Sequence, residues 1–117
     1  MNTTTILAVF VGGGFGSILR FVVSLLSLNF TNKIWAGTLI VNVVGSIIYL
    51  SLFKLLEGNT KLMQAFIKIG LLGGLTTFSS FSFEVVSLIK SGDYIQSGLV
   101  FILNILFGII VGVWVLR

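Results

Sequence analysis

The chain has 117 residues, 56% of them hydrophobic and 9% charged, and a mean hydropathy of +1.18, which argues against an ordinary soluble domain. It contains no cysteine and no histidine, so disulfides, thiolate–metal centres and the usual proton shuttle are absent. The net charge is +4, but the seven Lys and Arg are dispersed at the flanks of apolar segments, which fits membrane spans and not a nucleic-acid surface.

Four apolar segments follow in order, each long enough to cross a hydrocarbon core of about 30 Å, which takes about 20 helical residues. The first has no charged side chain from Met1 to Leu19 and predicts a helix over about 3–27. It has no basic leader and no convincing small-x-small cleavage site, so it reads as a retained helix and not as a signal peptide. Gly12 and Gly16 lie four apart on one face that continues to Arg20. Small residues at that spacing let helix backbones approach, and an arginine within a span calls for a partner or a cavity.

The second segment, Ile34 to Phe53, predicts a helix over 34–55. Asn42, Gly45, Ser46 and Tyr49 share one stripe of it, with Asn42 near mid-span. An amide there either cross-links helices or lines a pathway, donating its NH₂ to an anion. The third segment predicts a helix over 63–90, interrupted by Lys68 and Glu84. The fourth runs uncharged from Tyr94 to Leu116, a helix over 94–116, with Asn104, Gly108 and Gly112 at one-turn spacing.

The connections, about 28–33, 56–61 and 91–93, leave no room for a second domain, so residues 1–117 form one antiparallel four-helix unit. With four spans both termini fall on one side, together with Lys54, Lys61, Arg117 and, on a generous count, Lys68. Lys33, Lys90 and Arg20 fall on the other. Four against three is a weak positive-inside bias, and such a chain can insert both ways. Four helices are also too few to surround a wet path and shield it from lipid, which calls for a dimer; the glycine stripes support close packing.

The third segment carries the chemistry: Gly73-Gly74-Leu75-Thr76-Thr77-Phe78-Ser79-Ser80-Phe81-Ser82. Glycines and hydroxyls at membrane depth are tolerated where the backbone is buried in protein or lines a cavity, so a mid-membrane break is expected here. A break frees carbonyl oxygens that suit a small hard cation. Phe78 and Phe81, three apart, share a face. Their ring edges are the positive part of the quadrupole and attract a small anion, while Ser80 and Ser82 add hydroxyl donors.

Three blocks in order carry a family resemblance: Gly13-Phe15-Gly16-Ser17 through Arg20-Phe21, Gly37-Thr38-Leu39-Ile40-Val41-Asn42-Val43-Val44-Gly45-Ser46, and Gly73 through Ser82 followed by Glu84. Over its whole length the chain resembles the CrcB/Fluc fluoride channels. The resemblance implies an all-α integral membrane protein of the cell membrane, multi-pass, assembled as an antiparallel dual-topology dimer with two fluoride pathways. It implies a central structural sodium, not transported, held by the backbone carbonyls of Gly73 and Thr76. It places Asn42, Phe78, Phe81 and Ser80 on the fluoride path and Arg20 near its vestibule, with Asn104 as the candidate from the fourth helix. Ser80 stands where the family often has threonine, and Ser17 replaces a commoner alanine.

The function expected is passive export of cytoplasmic fluoride, without catalysis, since there is no nucleotide loop, redox centre or acid–base pair. A small multidrug-type proton antiporter is the rival within transport, but the first two spans hold no carboxylate and Glu84 lies toward one end of the third. A non-conducting membrane assembly subunit is the rival outside it. The partner expected is a second copy of this chain, or a similar chain of opposite charge bias.

Overall fold

The computed structural model describes residues 2–117; Met1, where the first apolar run begins, and the Lys54 side chain lie outside the description. Among the described residues the chain is all helix and turn, with no strand. Four helical stretches are long and apolar enough to cross a membrane: 3–31, 34–53, 61–90 and 94–115.

Helix α1 spans Thr3–Thr31 and starts on an Asn2 cap that accepts from the Thr4 amide. It runs one turn past the expected end near residue 27. The polar residues there bond back onto the helix: Ser27 Oγ donates to Ser24 O and Thr31 Oγ1 to Ser27 O. The helix stops at Asn32, which adopts a left-handed conformation (φ 55°) and donates to Leu28 O. Helix α2 spans Ile34–Leu55. Gly37 lets the two helices close on each other, because a Cβ there would lie 2.6 Å from Ser24 Cα.

The third stretch is composite. A short α3, Lys61–Gln64, opens on a Thr60 cap, two residues before the expected start. A π-helical run, Ala65–Leu72, follows and passes into the single turn α4, Gly73–Leu75. Thr76 (φ −78°, ψ 153°) and Thr77 (φ −150°, ψ 121°) are extended. Helix α5, Phe78–Lys90, then starts on Thr77, whose hydroxyl accepts from the Ser80 amide at 3.2 Å. After a turn at Gly92 (φ 81°), Asp93 caps α6, Tyr94–Val115.

Helix α2 lies at the centre. α1 packs on it and on the π-helical run and α4, whereas α6 packs on α2 and α5; α1 touches neither α5 nor α6. Gly12 and Gly16 do not await a second copy. They meet the carbonyl oxygens of Phe66 and Leu71, while Gly70 and Gly74 meet those of Val9 and Gly13 (2.9 and 2.5 Å from an added Cβ). The small-residue stripe of the first helix therefore makes a seam inside the chain, backbone on backbone. The buried core is small, Val41, Leu72 and Leu75 with Val23, Leu52 and Ile67 packed against it. α1 and α6 keep long apolar faces bare, as helices facing lipid or another copy do.

Candidate functional site

A cavity of about 650 Å³ opens between α2, the Thr76–Thr77 stretch and α6. Asn42 organises its inner end. The Thr77 amide donates to Asn42 Oδ1 at 2.8 Å, and Asn42 Nδ2 donates back to Thr77 O at 3.0 Å and to Asn104 Oδ1 at 2.9 Å. Asn104 in turn donates to Val100 O at 2.9 Å. Both amide hydrogens of Asn42 are therefore engaged by protein. Of the two roles open to this residue, cross-linking is the one its geometry performs, and an anion would have to displace one of these bonds.

The extended pair redirects the backbone as well. In a continuous helix the Thr77 amide would bond Gly73 O and the Ser80 amide Thr76 O. Here the first goes to Asn42 and the second to the Thr77 hydroxyl. Gly73 O and Thr76 O lose the donors that a helix would give them, and both residues line the cavity. Such main-chain oxygens suit a hard monovalent or divalent cation. Thr76 is held in place by its own hydroxyl on Leu72 O (2.9 Å) and by Gly45, where a side chain would collide with Thr76 Cγ2. No group of three or more acidic, Cys or His side chains able to hold a metal exists among the described residues.

The two rings differ sharply. Their centroids lie 5.6 Å apart with a 59° tilt. Phe81 is buried and also meets Phe101 at 6.0 Å, whereas Phe78 is 78% exposed on the open side of the cavity. Ser80 does not line the cavity. It adjoins it through a hydroxyl cluster in which Thr77 Oγ1 bonds Ser80 Oγ at 3.2 Å and lies 3.3 Å from Ser79 Oγ. Asn42, Phe78, Phe81, Asn104, Gly73 and Thr76 thus share one cavity. Arg20 is not among the residues that line it: it is half-buried on α1, which touches neither α5 nor α6.

Sequence reasoning missed three residues. Thr77 is buried and central, and the signal for it is a Thr followed three residues on by a polar group ahead of an apolar helix. Phe101 has no signal beyond its hydrophobicity. Glu84 is buried between α2 and α5, accepting from the Thr38 hydroxyl, and its Oε2 has no hydrogen-bond partner among the described residues. An acid within an apolar segment, even toward one end of it, is itself the signal.

The family model for CrcB-like protein, Camphor Resistance (CrcB), matches residues 7–115. The chain belongs to the CrcB family. A protein of Coxiella burnetii (strain Dugway 5J108-111) named as fluoride-specific ion channel FluC is 40% identical over 114 residues, which cover 93% of this chain and 91% of its own. The protein of the same name from Campylobacter jejuni (strain RM1221) is 43% identical over 104 residues, 86% of this chain and 85% of its own. The FluC 1 protein of Yersinia pseudotuberculosis is 43% identical over 104 residues, 86% and 82% of the two chains. As a CrcB-family chain with four apolar spans, it is a multi-pass membrane protein.

Proposed function

We propose that this CrcB-family chain is a fluoride-selective ion channel that lets cytoplasmic fluoride leave the cell passively. The observation that carries the reading is identity of 40–43% over most of the chain to relatives from several species, each named as a fluoride-specific channel. It is a transport protein and not an enzyme. A membrane potential negative inside drives the anion outward by about 2.3 kcal/mol per 100 mV, so no coupled energy source is needed.

Fluoride is strongly hydrated, and fixed donors have to replace part of its water shell. The hydroxyl of Thr77 with the adjoining Ser80, the amide of Asn104, the amide of Asn42 once one of its bonds is displaced, and the edges of Phe78 and Phe81 supply such donors at or beside one cavity. The third stretch acts as one span broken at membrane depth. Two copies in antiparallel orientation close the open side where Phe78 is bare, and Arg20 of α1 serves the vestibule in that assembly. A sodium ion would be held by Gly73 O and Thr76 O, where it supplies positive potential for a passing anion. The redirected amides of Thr77 and Ser80 favour that assignment.

Purified protein in liposomes tests the reading. Fluoride should leave rapidly once a potassium ionophore dissipates the charge, without a proton gradient, while chloride stays. Proton-coupled cation exchange would favour the antiporter, and silence toward all ions the assembly subunit. Protein stripped of sodium by long dialysis should lose flux and regain it with sodium but not potassium; full activity after stripping removes the cation from the account. Labelling of loop cysteines from both sides of the membrane, in cells expressing this chain alone, tests the dual-topology homodimer. A single labelled orientation, with flux only beside a similar chain, would replace it by a heterodimer.

A further inference from the structure

We propose that Lys68 is an anion-capture residue at the mouth of the cavity, drawing small anions in before they reach the donors around Thr77; this rests on the channel reading above. In the sequence Lys68 is merely an interruption of an apolar run. In the structure it belongs to the π-helical run and lines the same cavity as Asn42, Thr77, Phe81 and Asn104.

Its ammonium stands 4.8 Å from the centroid of the Phe53 ring. No carboxylate of a described residue pairs with it, although a charged group within a span ordinarily pairs or extends to water. A ring face attracts the charge without using up its three N–H donors, so the ammonium remains able to bind an anion. Phe53 and Asn42 are eleven residues apart on α2, about 16 Å at 1.5 Å per residue. The ammonium therefore lies toward the Phe53 end of α2, and the Asn42–Thr77 bonds lie nearer its middle.

That separation defines the role. A positive charge in a cleft with low-dielectric walls raises the local concentration of anions, and it does so for any small anion. Lys68 should thus set the rate of entry and leave discrimination between fluoride and chloride to the inner end.

The test reconstitutes the full chain and its Lys68→Met, Lys68→Gln and Lys68→Arg variants in liposomes, and reads initial fluoride efflux with an electrode. Ionic strength is set by an impermeant salt at about 10 mM or about 1 M, where charges are felt over about 30 Å and about 3 Å respectively. Wild type should be about three- to fivefold faster at low than at high salt. The Met and Gln variants should be slow at both, Arg should match wild type, and chloride should be excluded throughout. A Met variant with wild-type rate and salt response overturns the proposal, as does an Arg variant as slow as Met. Should the neutral variants fail to elute as intact protein, a salt-insensitive wild type overturns it equally. Absence of any wild-type fluoride flux would instead strike the channel reading itself.

Discussion

Between α1 and the π-helical run, backbone lies on backbone: Gly12, Gly16, Gly70 and Gly74 each face a carbonyl or main chain of the other element. Between α2, α5 and α6 the contacts are made by side chains, with Asn42, Asn104 and Thr77 bonded across a cavity of about 650 Å³. The first seam is closed at those glycines, where an added Cβ would lie within 3 Å of a carbonyl oxygen. The second has room and side-chain donors. The same chain thus keeps its glycine seam and its cavity in different places. The π-helical run serves both: its Gly70 faces α1 while its Lys68 and Leu72 line the cavity.

The contrast is broken most severely at Gly16. A side chain there meets the Leu71 carbonyl oxygen, and backbone cannot rotate aside as a flexible side chain can. Gly16→Leu should abolish the folded protein, seen as loss of the monodisperse peak in detergent; a well-folded Leu variant would show that the seam is looser than its geometry. Asn42→Ala should keep the fold but leave the buried Thr77 amide and the Asn104 carbonyl oxygen without partners. The expected cost is about 1–3 kcal/mol in unfolding, with slower flux because the cavity floor loosens. An unchanged melting curve would deny Asn42 its clamp. Gly108→Ala should do least. The nearest atom to an added methyl is Ser46 Oγ at 4.0 Å, so stability should change by less than about 0.5 kcal/mol.

Much of this was legible beforehand, and the exceptions are instructive. Long apolar runs mark the four spans, even the third with its Lys68 and Glu84, because length and hydropathy are local properties. The hydroxyl–glycine stretch likewise announces irregular backbone between Gly73 and Phe78. Partner choice is not local. Gly12 and Gly16 read as helix-packing residues, yet nothing in the sequence says that their partners are Gly70 and Gly74 of the same chain and not a second copy. The end of α1 was misplaced because Ser27 and Thr31 look like turn residues, and only their bonds to preceding carbonyls show that they prolong the helix. Asn42 was legible as a mid-span amide, whereas its engagement by Thr77 depends on a backbone turn that places an amide and a carbonyl side by side. Arg20 was legible as a charge within a span, but it sits on α1, which packs on α2, the π-helical run and α4 and touches neither α5 nor α6.

The central claim is that fluoride passes along the cavity seam, over the paired rings. Its most direct test is fluoride efflux from liposomes containing the Phe78→Ile, Phe81→Ile double variant, compared with wild type at equal protein and equal elution profile. Phe78 is exposed, so its replacement costs little in packing, and the buried Phe81 exchanges one apolar group for another. The account predicts an intact protein whose fluoride flux falls on the order of tenfold or more, because isoleucine has no positive ring edge to present to the anion. Wild-type flux through a well-folded double variant would contradict it and make the rings packing residues alone.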